Sequence, residues 1–440
     1  MAHAGLQPRA ASRTIVFAWL VISIFYFYQY VLRSAPAVMA PQLTQTFQLS
    51  AVGLTSLLGL FYYGYAPFSL VAGVAMDQLD PRRVLPLAAA AIGVGAFLFA
   101  AGNPGVAGAG RFLQGAAGVF ALIGAAYIAT TNFPASRAAT LIGVTQMFGM
   151  AGGSAGQFLV GPIMDKGVSV KTFWLTMGVV GLAIAVLLLL LVPSRASAPA
   201  PAGLATPERG GWLTKAARSM GSVFANPQSI LCGLIAGLMF LPTTIFDMVW
   251  GVRYLQEAHD VPYAMAVMRS ASVPFGWIIG APLMGAVSDR IGRRKPVIVG
   301  AAAVLVACLA VILYGPHSAF PPFSLGLVAG IASGAAMLPY TVIKEANRPE
   351  HSGTATGVIN FINFSLSALL GPVFAGLLMQ ASGGGERELG HYQAAFGPML
   401  FGVALALILA LLLRETGPAR GAKGAAGSAA ARGQTVGQGE

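Results

Sequence analysis

The chain has 440 residues, of which 56% are hydrophobic and only 9% charged, whereas a soluble domain carries about 25% charged residues. This composition excludes an ordinary soluble globular protein, and the 56 glycines suit helices packed closely in lipid, where small residues let backbones approach. The net charge of +12 would raise nucleic acid as a partner in a soluble protein, but its placement along the chain argues otherwise.

Residues 1–13 form a polar N-terminal tail with no small-residue cleavage site before the first apolar run, so that run is expected to be an uncleaved helix. Stretches of the length a bilayer core requires then recur at 14–39, 51–76, 84–102, 105–131, 138–164 and 173–193. After a loop at 194–227 they resume at 228–256, 262–288, 295–314, 321–345, 353–380 and 391–413. The expected fold is an all-α membrane protein of twelve transmembrane helices in two six-helix, pseudo-symmetric bundles, 14–193 and 228–413. Within the linker 194–227, Trp212, Leu213 and Met220 suggest a short interfacial helix, and the Gly/Ala-rich tail 414–440 is expected to be disordered.

Lysine and arginine set the orientation. With both termini in the cytoplasm, nineteen of these residues fall on that side and three, Lys166, Lys171 and Arg387, outside. The basic balance therefore reflects insertion next to an anionic inner leaflet, and a multi-pass protein of the cytoplasmic (inner) membrane is expected, with no nucleic-acid partner. Cys232 and Cys308 both lie in apolar runs outside any CxxC or Cys/His cluster and read as buried thiols. The five histidines lie in tails, loops or span ends, and neither a nucleophile–base pair nor a metal set can be assembled, so enzyme, cofactor and metal readings are not supported.

Four arginines, Arg33, Arg111, Arg253 and Arg269, and one carboxylate, Asp247, remain inside spans. A guanidinium in lipid keeps its proton and needs an anion, and such a residue is a functional-site hypothesis by default. In the first span Tyr26, Tyr30 and Arg33 share a helix face at i, i+4 and i+7, with Gln29 beside it. Tyr62 in the second span and Trp250 in the seventh are deep enough to line a cavity. Gln146, Asn360 and Asn363 could hydrogen-bond a cargo or knit helices. Arg33 could anchor a cargo or pair with Asp247 or a helix-end carbonyl, and Arg253 could bind or snorkel. Arg111 could bind or hold helices together, and Arg269 could pair with Asp247 or Asp260. Asp247 itself could be a proton or Na⁺ site, a reader of an amine, or a structural partner of an arginine.

The halves repeat at an offset of about 214 residues. Asn132-Phe133-Pro134 precedes Gly143-Val144 as Asn347-Arg348-Pro349 precedes Gly357-Val358, and Gly73 through Arg83 lines up with Gly285 through Lys295. Related six-helix halves are the layout of transporters that hold cargo at the midplane. Trp250-Gly251-Val252-Arg253 stands where the first half has Tyr30-Val31-Leu32-Arg33, so Arg33 and Arg253 are expected to face one cleft from opposite sides and grip a carboxylate or phosphate.

The run Gly285-Ala286-Val287-Ser288-Asp289-Arg290-Ile291-Gly292-Arg293-Arg294-Lys295 closely resembles the signature loop of the major facilitator superfamily. Gly110-Arg111-Phe112-Leu113-Gln114-Gly115 resembles a second signature of that superfamily, and the resemblance covers essentially the whole chain. In the first copy of the loop Gln78 and Asp80 replace the arginine and a glycine, while Asp77, Arg82 and Arg83 remain. Pairs among Asp77, Arg82, Arg83, Asp289, Arg290, Arg293 and Arg294 are expected to latch the inner face and to break on opening. The Tyr-x-x-Arg of the first span resembles the organophosphate:phosphate antiporter branch and the related anion:cation symporters. The fifth span lacks a histidine and the second a lysine, which favours a carboxylate or smaller anion over a phosphate ester. The expected activity is alternating-access transport of a small organic anion by a monomer, with H⁺ as coupling ion and Asp247 and Arg269 as coupling residues. The alternatives are an amino-acid or small-peptide transporter, an organophosphate/phosphate exchanger, and a transporter-like ligand sensor.

Overall fold

The computed structural model describes residues 13–133, 135–194, 212–316, 321, 323–348 and 351–417. The side chains of Asp77, Arg137, Trp212, Leu213 and Lys215 lie outside that description, as do the Pro/Ala/Ser stretch of the linker and the tail beyond Gly417.

Helix ends fall where the loop chemistry dictates. Ser50 caps α3 (Ala51–Gln78) by accepting from the Gly53 N–H at 3.1 Å, and Asn103 caps α5 (Pro104–Asn132) by accepting from Gly105 and Val106. Proline follows the cap in α5, in α4 (Pro81–Phe99, capped by Asp80) and in α10 (Pro227–Leu241, capped by Asn226), where a missing N–H costs nothing. Gly292 and Gly383 stop α12 (Tyr263–Ile291) and α16 (Ser352–Ser382) in the left-handed conformation that glycine adopts without strain. The remaining spans are α1 (Arg13–Val38), α8 (Val170–Leu191), α13 (Lys295–Tyr314) and α17 (Leu389–Leu412).

Among the described residues, eleven helices are long and apolar enough to cross a membrane. The twelfth expected span, 138–164, is built from α6 (Ala135–Phe158) and α7 (Val160–Asp165), which are interrupted at Leu159. Three features lie outside the sequence expectation. A short helix α2 (Ala40–Phe47) follows α1. The seventh span changes from α10 to a π-helical segment, Pro242–Gly251, before α11 (Val252–His259). The tenth is α14 (Ser324–Ser333), a 3₁₀ turn at Gly334–Met337, and α15 (Leu338–Glu345). In the linker, α9 (Trp212–Phe224) packs on α16, where Ser219 Oγ lies 2.8 Å from both His351 Nδ1 and Thr354 Oγ1.

Helices α1–α8 form one bundle and α10–α17 the other; they meet along α3 against α16 and α6 against α12. The internal repeat is visible in detail. Asn132 and Asn347, the asparagines that precede the two matched prolines, each donate to the carbonyl four residues earlier, Ile128 and Ile343. The face carrying the signature loops is the basic face. On the opposite face Tyr263 Oη donates to the Val38 carbonyl at 2.9 Å, and deeper in the bundle Ser154 Oγ donates to the Ala271 carbonyl at 3.1 Å; both bonds join the bundles.

Candidate functional site

Between the bundles lies a narrow cavity of about 20 Å³, room for little more than a water molecule in this conformation. Tyr26, Tyr30 and Gln146 line it from one bundle, and Tyr340, Asn360 and Asn363 from the other. Tyr26 Oη donates to Gln146 Oε1 (3.3 Å), Tyr340 Oη donates to Asn360 Oδ1 (2.6 Å), and Asn363 Nδ2 donates to Tyr340 Oη (3.1 Å). Asn360 Nδ2 and Asn363 Oδ1 are left without a protein partner. Among the described residues, no acidic or basic side chain lines this cavity.

Arg33 stands behind its aromatic wall. It is 3% exposed, and its guanidinium carbon lies 5.0 Å from the ring centres of Tyr30, Tyr62 and Phe364 and 5.6 Å from those of Phe61 and Phe240. Nε donates to Tyr62 Oη at 3.3 Å, while Nη1 and Nη2 have no hydrogen-bond partner. Each ring contact contributes about 0.5–2 kcal/mol, but burying an unpaired ion costs several kcal/mol and its unmade hydrogen bonds more. Aromatic faces supply attraction without acceptors, so the four outer N–H donors still want an anion. Arg33 pairs with neither Asp247 nor a helix-end carbonyl.

The second guanidinium nearby is Arg111, and not Arg253 as the repeat suggested. Arg111 is 2% exposed and lies 5.1 Å from the Phe61 ring that Arg33 also faces. It donates from Nη1 to the Leu32 carbonyl (3.1 Å) and to Gln114 Oε1 (2.8 Å), tying α5 to α1 rather than lining the cavity. Gly115 permits this packing, because a Cβ there would run into the Phe61 carbonyl. Arg253 lies near the opposite face, 5.8 Å from the Trp250 ring and beside Glu257 and Arg387. Glu257 in turn accepts from Arg387 (2.8 and 3.0 Å) and Tyr392 (2.6 Å). Trp250 packs against Tyr392 and Phe396, and neither it nor Arg253 lines the cavity. Gln29 is buried against Gly118 of α5 instead of facing the cavity.

Tyr62 joins the bundles: its Oη accepts from Arg33 and donates to the Thr244 carbonyl at 3.0 Å. Thr244 belongs to the π-helical segment, a geometry frequent at functional sites. Asp247 lies three residues on, 4% exposed, with Oδ1 accepting from Ser270 Oγ at 2.8 Å and Oδ2 unpartnered. Of the three readings of Asp247, pairing with an arginine is not what the structure shows; Ser270 holds it, with Gln157 of α6 beside it. Arg269 shares a different cavity with Asp247, inside the C-terminal bundle.

On the basic face, Arg294 pairs with Asp289 and with Glu345 of α15 (3.1 Å), and Arg293 lies 3.6 Å from Glu415, just beyond α17. Glu415 also accepts from the N–H groups of Arg294 (2.7 Å) and Lys295 (3.2 Å), capping α13 from a distance. In the first half Asp80 takes the corresponding place, accepting from the Arg82 N–H and from Ser194 Oγ (3.0 Å), while Arg82 Nε donates to the Leu189 carbonyl. Arg83 and Arg290 are exposed. Among the described residues these ion pairs join elements of the C-terminal bundle to one another, with Arg294 on Asp289 as the loop pattern suggested; the side chain of Asp77, its first-half counterpart, lies outside the described residues.

The family model of the Major Facilitator Superfamily matches residues 22–368 and 278–436. The chain belongs to that superfamily, and it is a membrane transporter, not an enzyme. A protein of Mycolicibacterium smegmatis described as an MFS-type efflux pump is 22% identical over 260 residues, and the match spans 58% of either chain. A bacterial homologue of the human lysosomal transporter Spinster, solved inward-facing and unoccupied, superposes with a TM-score of 0.67 at 17% identity, covering 92% of this chain and 96% of that one. The nucleoside transporter NupG, solved as a point variant, gives 0.66 at 15% identity over 90% and 99%. At such identities these structures speak for the fold alone.

Proposed function

We propose that the protein carries a small organic anion, a carboxylate-bearing metabolite, across the cytoplasmic membrane by alternating access, with the basic face and both termini in the cytoplasm. The observation that carries this reading is Arg33: a buried guanidinium whose Nη1 and Nη2 have no protein partner, set behind a cavity lined by no acid. A carboxylate fits the planar fork bidentately. The unpartnered Asn360 Nδ2 and Asn363 Oδ1 suit a cargo with a hydroxyl, keto or amide group besides the acid. For the anion to reach Nη1 and Nη2, the rings of Tyr30 and Phe364 part; the cage is therefore a gate that the cargo opens, as alternating access requires.

Asp247 is the coupling residue of this reading, and the coupling ion is H⁺. Its link to the anion site runs from Arg33 through Tyr62 Oη to the Thr244 carbonyl, three residues along the same π-helical segment. The protein acts as a monomer, since each chain contains both bundles and the cavity between them. Purified protein in proteoliposomes tests the anchor: Arg33→Ala and Arg33→Lys abolish organic-acid uptake while reaching the membrane at normal levels. Normal uptake in both variants overturns the assignment.

A further inference from the structure

The two carboxamides that α16 presents to the central cavity are held by one hydroxyl. Asn360 and Asn363 are 1% and 3% exposed, and both reach Tyr340 of α15. A phenol has a single proton to give. Tyr340 Oη gives it to Asn360 Oδ1 (2.6 Å) and accepts from Asn363 Nδ2 (3.1 Å). This leaves Asn360 Nδ2 as a donor and Asn363 Oδ1 as an acceptor, both buried and without a protein partner. Turning both carboxamides over exchanges their roles and still leaves one donor and one acceptor. On the facing wall Tyr26 Oη is already bonded to Gln146 Oε1 (3.3 Å) and Tyr30 Oη (3.4 Å).

We infer that the cargo is a hydroxycarboxylate, whose hydroxyl donates to Asn363 Oδ1 and accepts from Asn360 Nδ2, and that this pair makes the site reject the keto acid of the same skeleton. The assignment rests on the anion reading at Arg33, which supplies the partner of the carboxylate. Any group that displaces water from the pair has to return both bonds, because a buried polar atom left alone is costly. A keto oxygen accepts from Asn360 and gives nothing to Asn363. A hydroxyl serves both with one oxygen, and one oxygen is what a cavity of about 20 Å³ holds before its walls part. Sites built to hydrogen-bond a hydroxyl discriminate strongly against analogues that lack it.

The test is calorimetric binding to the purified full-length chain with two matched pairs, lactate with pyruvate and 3-hydroxybutyrate with acetoacetate, which set the oxygen at two distances from the acid. In at least one pair the hydroxy acid is expected to bind about tenfold or more tightly than the keto acid. Asn363→Leu removes the acceptor, so the hydroxy acid should fall to the level of the keto acid while the keto acid binds no worse, a change that general damage to the site does not produce. Where Asn363→Leu does not fold, as judged by its gel-filtration profile, Tyr340→Phe frees both carboxamides to turn and should bring the ratio within the pair to about one. Equal binding within both pairs, with all four acids lost in Arg33→Ala, overturns the hydroxyl assignment and leaves the anion site standing. A hydroxy-over-keto preference retained in Arg33→Ala upholds the asparagine pair and strikes the anion site instead. An unchanged ratio in folded Asn363→Leu, or N-acetylglycine binding more tightly than either hydroxy acid, overturns the assignment, and binding of none of these acids to the wild-type chain overturns both readings.

Discussion

Replacing Tyr62 with phenylalanine deletes one oxygen and two hydrogen bonds. The bond from Arg33 Nε (3.3 Å) lies within the N-terminal bundle and is lost in every conformation. The bond to the Thr244 carbonyl (3.0 Å) crosses between bundles and exists only while that region is closed. Its loss therefore falls on one state of the transport cycle. The Thr244 carbonyl keeps its helical donor, so the loss is one net hydrogen bond, about 0.5–1.5 kcal/mol, and each 1.4 kcal/mol is a factor of about ten. The closed population should drop about twofold to tenfold relative to the open one. Spin labels at Lys166 and Glu386, both exposed on loops of the opposite face, one on each bundle, report this by double electron–electron resonance. The distance distribution should move to longer values in Tyr62→Phe without any added ligand. An unchanged distribution in a folded variant refutes the reasoning that Tyr62 holds the bundles together.

Asp247→Asn should remove the dependence of uptake on an imposed proton gradient while leaving counterflow exchange of the anion; retained gradient dependence counts against its coupling role. Glu415→Gln should lower stability by about 1–2 kcal/mol, the loss of a remote helix cap, seen as a reduced melting temperature. Burial pushes the Glu415 carboxyl up, but the N–H groups of Arg294, Gly417 and Lys295 and the Arg293 guanidinium outweigh it and hold it below its ordinary value of 4.5. A depressed carboxyl stabilises above its unfolded value and loses that contribution as pH falls through the folded one. The gap between wild type and variant is therefore fully present above the ordinary value of 4.5 and closes as pH falls from there through the lower folded value; a constant gap speaks against the charged cap.

The bundles were readable because apolar length and loop landmarks are local properties, and Asn132 and Asn347 keep their matched geometry in the fold. Arg33 was readable because an arginine in a long apolar run has few reasons to be there. Its surroundings were not: Phe240 and Phe364 come from α10 and α16, and no periodicity in α1 announces them. The repeat held locally and failed globally at Arg253. Arg33 lies over the ring three residues earlier, and so does Arg253, yet Arg253 follows a π-helical segment whose i→i+5 spacing alters the helical phase. An equal sequence offset then no longer means an equal direction. Tyr65 and Tyr340 line the central cavity and were missed. Tyr65 is one turn from Tyr62 and could have been found, while Tyr340 lies past the 3₁₀ turn that re-aims the tenth span.

The two ways of capping the matched helices have a consequence for biogenesis. In the first half the cap of α4 is Asp80, its immediate neighbour, ready as soon as that turn leaves the ribosome. In the second half the N–H groups at the start of α13 wait for Glu415, 120 residues further along the chain. At about 5–20 residues per second, that is a delay of roughly 6–24 s. The first bundle can mature while synthesis continues; the second is completed only when the last helix and the residues just after it have arrived. A stop codon or truncation between Leu412 and Glu415 should therefore spare every membrane span and still release a transporter whose C-terminal half fails quality control.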